Sequence, residues 1–209
     1  SGELPDLLSW PVLGPDYRFN TGFYLDSQAN LYIRGFGDPS LVSEEINLIA
    51  AGLRMQGLRS VAVLFVDDSA FALEGPVPGQ AISDNPYDAP VGALAVNFNS
   101  IAVLKDKQGN VVSGEAQTPT LPLMHELAKR RPSGRMRLNV CCDGSEGRER
   151  SARYAGELFR AIFQQNGISV ASLGGRATTP ANAQLFYMHA SSQNLSEISA
   201  ALMHSSSNF

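Results

Sequence analysis

Two adjacent carboxylates, Asp67-Asp68, close an apolar run and are the first residues of this 209-residue chain whose types and spacing could do chemistry. A pair of acids at a strand end can hold a metal ion or divide general acid and base work; equally, the two can point in different directions, one of them capping the turn. Histidine offers less. His125, His189 and His204 fall in no His-x-x-x-His or His-Glu-x-x-His spacing, so a zinc hydrolase site is not expected. Gly144-Ser145-Glu146-Gly147 lacks the first glycine of a nucleophile elbow and reads as a turn. Gly35-Phe36-Gly37 lacks the third glycine of a dinucleotide loop, and Asp38-Pro39 after it also marks a turn. Cys141 and Cys142 are neighbours. They can pair with each other only in a strained ring, and two thiols cannot complete a structural zinc site, so they read as one inward and one outward residue of a strand. No cofactor is expected. The last polar cluster, Ser206-Ser207-Asn208, follows an amphipathic stretch, where Ser and Asn ordinarily cap exposed backbone groups.

Bulk properties narrow the classes. A 44% hydrophobic content can build a core, and 17% charged residues is ordinary for a folded domain. Net charge −4 and a pI near 5.4 give no electrostatic reason to expect nucleic acid as a partner. No apolar run approaches the ~20 residues of a membrane span. The chain opens Ser1-Gly2-Glu3, without Met and with no visible signal peptide, so its start is expected to be a processed or engineered end, and export is neither implied nor excluded.

These groups must be positioned by alternating strands and helices. Tyr17 to Leu25 alternates and predicts a strand, Asp26 to Asn30 a turn, and Leu31 to Arg34 a returning strand. Ser40 or Ser43 is expected to cap a helix whose Ile46, Ile49, Ala50 and Leu53 follow helical spacing, with Gly57 just past its end. Val61 to Val66 predicts a buried strand. Asp67 to Gly92 is irregular and proline-containing, a length that usually signals function or disorder. Short strands are expected at Ala93–Val96 and Ile101–Leu104, with a turn over Asp106–Asn110 and Val111-Val112 beyond it. The Pro-, Thr- and Arg-rich stretch Ser113 to Arg135 holds one helical candidate, Leu123 to Lys129. Met136 to Cys142 predicts a strand, and Arg148 to Gln165 the clearest helix, with Ala155, Leu158, Phe159, Ile162 and Phe163 on one face. Ile168–Leu173 and Leu185–Ala190 predict strands around a Gly174-Gly175 turn, and Leu195 to Met203 a last helix. No internal repeat is evident. The alternation with irregular inserts argues an α+β (mixed α/β) fold.

Several runs together resemble the class C low-molecular-mass penicillin-binding proteins, the D-alanyl-D-alanine carboxypeptidase/endopeptidases. Leu13 to Phe19 resembles the stretch after that family's nucleophile helix. Leu31 to Pro39 is similar to its strand and Gly-Asp-Pro turn, and Val66 to Phe71 to its Asp-Asp-Ser-x-Phe. Asn85 to Asn97, Arg153 to Phe159 and Leu195 to Ile198 follow in the family's order, and Ser206-Ser207-Asn208 stands where its Ser-x-Asn motif belongs.

The resemblance implies a penicillin-recognising serine enzyme whose transpeptidase-like domain is interrupted by inserted domains. On that basis residues 1–19 are a remnant of the transpeptidase-like domain, 20–95 an inserted α/β domain, 96–176 a second inserted region with a return strand, and 177–209 the return to the transpeptidase-like domain. It further implies that Ser206 passes a proton to or from the leaving group and that Asn208 hydrogen-bonds the substrate backbone. Asp84, with Asp88 as the alternative, would read the free amino group of a diaminopimelate-type stem peptide, or both are solvated loop acids. Peptidoglycan stem peptides and, in the complete enzyme, beta-lactams are the implied partners, in the periplasm or outside the cell.

The departures concern the nucleophile. The family's nucleophile motif Ser-x-x-Lys and its Lys-Thr-Gly motif do not occur: Lys105, Lys107 and Lys129 are the only lysines, none has Ser three positions earlier, and none precedes Thr-Gly or Ser-Gly. A serine needs a neighbouring base to act as a nucleophile, so the isolated chain is expected to be inactive and to be part of a longer enzyme. The alternative is a non-catalytic module that binds murein or a protein partner.

Overall fold

The structure, a computed structural model, describes residues 14–70, 92–140 and 145–206, with residues 145 and 201–206 described by backbone alone. The readings at Asp84, Asp88, Cys141, Cys142, Gly144 and Asn208 lie outside the described residues.

β1 (Asn20–Leu25) and β2 (Leu31–Gly35) form an antiparallel hairpin in which Phe23 faces Ile33 and Leu25 faces Leu31. α1 (Ser43–Met55) crosses to β3 (Ser60–Asp67), which lies parallel to β2. Gly57 ends α1 as expected, with φ +100°, and the Leu58 N–H closes onto the Leu53 carbonyl at 3.0 Å. The start of α1 departs from expectation. Its N-cap residue is Val42, which has no side chain to offer, and Ser40 bonds back to Asp38 instead. The cap comes from a distant residue: the Ser43 N–H donates to Asn97 Oδ1 at 2.9 Å.

Asn97 belongs to a feature that patterning did not disclose. Ala93–Val96 is not a strand. It is a bent approach to a 3-10 turn, Asn97–Asn99, whose three residues have φ of 46°, 55° and 51°. Three successive non-glycine residues in the left-handed region are costly and persist only where their surroundings hold them. Here Asn97 Nδ2 donates to Ser43 Oγ at 2.9 Å and to the Tyr154 hydroxyl at 3.0 Å, and Ser151 Oγ donates to Asn99 Oδ1 at 2.7 Å. The same approach explains Gly35. A Cβ there would stand 2.2 Å from the Ala93 carbonyl oxygen, so only glycine lets the two backbones meet.

β4 (Ser100–Lys105), β5 (Val111–Ser113) and β6 (Gly134–Asn139) make a second, antiparallel sheet in the order β5-β4-β6. The stretch from Ser113 to Arg135 is ordered by α2 (Pro122–Ala128), whose Leu123 N–H donates to the buried Glu157 at 2.8 Å. The turns β1–β2 and β4–β5 are copies of one another. In each an Asp-x-Gln-x-Asn run turns on its first carboxylate: Asp26 Oδ1 accepts from the Gln28 and Asn30 N–H groups, and Asp106 Oδ1 from those of Gln108 and Asn110. This local repeat was not expected.

α3 (Ser145–Gln165) begins three residues before the expected Arg148 and buries the expected face, Ala155, Leu158, Phe159, Ile162 and Phe163. Phe159 meets Phe23 and Phe163 edge-on at 6.1 and 5.7 Å between ring centres. β7 (Ser169–Arg176) then pairs parallel to β3, and β8 (Gln184–Ala190) antiparallel to β1, giving a five-stranded sheet in the order β7-β3-β2-β1-β8. Gly174-Gly175 is no turn. It lies within β7 at a register slip against Leu64/Phe65, where a Cβ on Gly174 would meet the Phe65 ring at 2.2 Å. The large sheet thus takes β1–β3 from the 20–95 segment, β7 from 96–176 and β8 from 177–209. One continuous core joins both sheets and α1, α2 and α3. The architecture is α+β, with two sheets and α4 (Leu195–Ser206) as its last described helix.

Candidate functional site

Ser206 is the last residue of α4, so the site question becomes what fixes that helix. Its entry is held on every residue. Asn194 Oδ1 accepts the Glu197 N–H at 2.9 Å while Glu197 Oε2 accepts the Asn194 N–H at 2.8 Å, a reciprocal capping box. The next two N–H groups, of Leu195 and Ser196, donate to the Tyr17 and Pro15 carbonyls at 2.8 and 3.1 Å. Those carbonyls satisfy donors that a helix start otherwise leaves open. Ile198 is the buried apolar residue of the helix among those described.

The link from β8 to α4 is equally constrained. Arg18 Nη1 donates to the Ser191 carbonyl at 2.6 Å and to the Ser192 carbonyl. Ser191 pairs with Phe19 through both backbone and hydroxyl, and Tyr17 with Leu195, so Tyr17 to Phe19 is tied to the 191–195 segment and the strand begins only at Asn20. Beneath the link lies a buried polar group. Glu45 Oε1 accepts from the Ser192 N–H at 2.7 Å and lies 2.7 Å from His189 Nε2, and Ser192 Oγ donates to both Glu45 oxygens at 2.8 and 2.7 Å. Glu45 and His189 side chains are each about nine-tenths buried. No spacing in the sequence links residues so far apart, which is why pattern reading missed them.

Asp67-Asp68 resolves as a capping pair with divergent side chains. The buried Asp67 accepts four hydrogen bonds, from the N–H and hydroxyl of Ser69 at 2.9 and 2.6 Å and from those of Thr179 at 2.8 and 2.6 Å, and Arg34 Nε stands 3.9 Å away. Asp68 turns to Arg176, which also bonds Glu149. With its lone pairs engaged, Asp67 has no coordination to offer. Among the described residues, no three His, Cys, Asp or Glu side chains could share a metal ion.

Burial pushes the Asp67 carboxyl up, but the bonds from Ser69 and Thr179 outweigh it and leave the group below its ordinary value of 3.8. A carboxyl whose folded pKa is lowered stabilises the fold above its unfolded pKa and loses that contribution as pH falls through the folded value. Asp38 works in the opposite sense, because burial raises it. Thermal unfolding below about pH 4 is therefore expected to be less steep in pH for Asp67→Asn than for the unsubstituted chain. Identical slopes would mean that Asp67 titrates alike folded and unfolded.

Of the residues expected to form a site, Ser206 is placed by its backbone; Asn208, Asp84 and Asp88 lie outside the described residues. The comparisons with known proteins bear on the rest. The model of the D-Ala-D-Ala carboxypeptidase 3 (S13) family matches residues 8–132. A D-alanyl-D-alanine carboxypeptidase from Actinomadura sp. (strain R39) is 27% identical over 94% of the chain and 44% of its own length. Penicillin binding protein 4 from Haemophilus influenzae shares the fold, with a TM-score of 0.61 at 18% identity over 86% of this chain and 47% of that one. The same protein complexed with a beta-lactam matches with a TM-score of 0.53. The chain spans less than half the length of these relatives. Since the family model covers more than half of it, the chain belongs to the D-Ala-D-Ala carboxypeptidase 3 (S13) family.

Proposed function

We propose that this chain is part of a serine-type D-Ala-D-Ala carboxypeptidase/endopeptidase that trims peptidoglycan stem peptides in the bacterial periplasm or outside the cell. The observation that carries the reading is α4, which a saturated hydrogen-bonded entry leads to Ser206 at the head of a Ser-x-Asn triplet, in a chain of this family.

In this reading a serine elsewhere in the protein attacks the carbonyl between the two D-Ala residues, the C–N bond breaks, and Ser206 hands a proton to the leaving amine. Water then releases the acyl group. Asn208 holds the substrate backbone, and Asp84 or Asp88 faces the free amino group of the stem peptide. The reading requires a Ser-x-x-Lys and a Lys-Thr-Gly outside the 209 residues, since neither occurs within them. It also assigns residues 1–19 and 177–209 to a transpeptidase-like domain and 20–176 to insertions.

Fluorescent penicillin decides between this and a binding module. The protein expressed from its complete reading frame is expected to label covalently, and the label to be lost when the Ser-x-x-Lys serine is replaced. A complete protein that stays unlabelled, yet is retained on purified peptidoglycan above an unrelated acidic protein, would instead establish the non-catalytic module.

A further inference from the structure

We infer that Glu45 is a positioning residue for the Ser-x-Asn motif: from the first turn of α1 it sets where α4 begins, and through α4 where Ser206 stands. The inference rests on the enzyme reading above for its catalytic consequence, and on the geometry alone for the clamp.

A carboxylate buried to this extent is retained only where it is neutralised or fully hydrogen-bonded. Glu45 takes its hydrogen bonds from one segment. Its two oxygens take the N–H and the hydroxyl of Ser192 and lie against His189, the last buried residue of β8. A glutamate in the third position of a helix commonly reaches back to its own N-cap N–H. Glu45 instead reaches across to Ser192, while Asn97 takes over the cap of α1 through the Ser43 N–H. The first turn of α1 therefore gives up its local capping to serve two other elements.

From the opposite side Arg18 holds the Ser191 and Ser192 carbonyls, and Ser191 Oγ donates to the Gln193 carbonyl at 2.7 Å. No residue between β8 and the capping box of α4 is left to absorb a rotation. The lever is long. The 12 residues of α4 rise roughly 18 Å, so a tilt of about 5° at Ser192 displaces the far end by roughly 1.5 Å. A displacement of about 1 Å in a catalytic group can cost on the order of 100-fold in rate.

The test uses the complete protein with Glu45→Gln, Ser192→Ala and, as a destabilising core change on the same helix, Leu53→Ala. Stopped-flow acylation by fluorescent penicillin separates the rate constant at saturation from the affinity of the encounter complex. For Glu45→Gln and Ser192→Ala the saturating rate is expected to fall about 10- to 100-fold with affinity changed less than about threefold, and amide exchange over residues 195–200 to accelerate at least about tenfold. Leu53→Ala is expected to keep the saturating rate within about threefold at a temperature where it is folded. Wild-type rates in both clamp variants, or an equal loss in Leu53→Ala, would overturn the assignment. Should the unsubstituted protein fail to acylate, the enzyme reading falls, and exchange over 195–200 still decides the clamp: unchanged protection in Glu45→Gln removes it.

Discussion

In the complete protein, Ser206→Ala is expected to slow acylation by penicillin by about 10²- to 10⁴-fold, the range that a positioned proton-transfer group contributes. The substitution is structurally mild. Ser206 is the last residue of α4, and alanine is the best helix former, so the helix is expected to persist and the fold to keep its melting temperature. The loss should therefore appear in the rate constant at saturation and leave binding nearly untouched. Asn208→Ala has a different signature. Removing one hydrogen bond to a substrate backbone costs about 0.5–1.5 kcal/mol, which reads as a several-fold weakening of the encounter complex. A Ser206→Ala protein that labels at the unsubstituted rate would sink the proton-transfer role, whatever became of the nucleophile.

The largest expected effect on stability belongs to Asn97→Ala, at about 3–4 kcal/mol. Two costs combine. The Ser43 N–H loses its only cap, and the Ser43 hydroxyl and Tyr154 phenol lose a donor, in a cluster where Ser43 also meets Thr118 at 2.7 Å. The Tyr154 phenol, pushed up by burial, keeps its own bond to the Ser100 carbonyl at 3.1 Å, so the cluster is impaired rather than emptied. The second cost is conformational. At φ 46° asparagine is tolerated, whereas alanine is strained by roughly 1–2 kcal/mol. Asn97→Gly separates the two, since glycine loses the same hydrogen bonds without the strain. Urea unfolding should place Asn97→Gly between Asn97→Ala and the unsubstituted chain. Coincident curves for the two variants would mean that the left-handed turn stores no strain.

The elements legible in the sequence were those whose cause is local. The face of α3 from Ala155 to Phe163 declared itself by helical spacing, β3 by its β-branched run, and the end of α1 by Gly57. What stayed hidden is non-local. Val42 sits where a cap should be, because the cap is Asn97; Ala93–Val96 looks like a strand but is bent toward a left-handed turn that Ser43, Ser151 and Tyr154 hold in place. Gly174-Gly175 reads as a turn because glycine usually breaks a strand, yet here it makes room for the Phe65 ring. The family and its Ser-x-Asn triplet were legible through ordered short runs. The Glu45 cluster was not, since its three residues share no run, no period and no motif.

The sheet order bears on how the chain must fold. Val61 pairs with Val170 and Thr21 with His189, so the inner strands of the large sheet depend on partners more than a hundred residues further along the chain. The segment between them, β4 to β6 with α2, pairs over short distances and can form while they wait. Until β7 arrives, β3 presents an open parallel edge of Val61, Val63, Leu64 and Val66, which is the kind of edge that recruits other chains. Any truncation ending before Ser169 makes that exposure permanent.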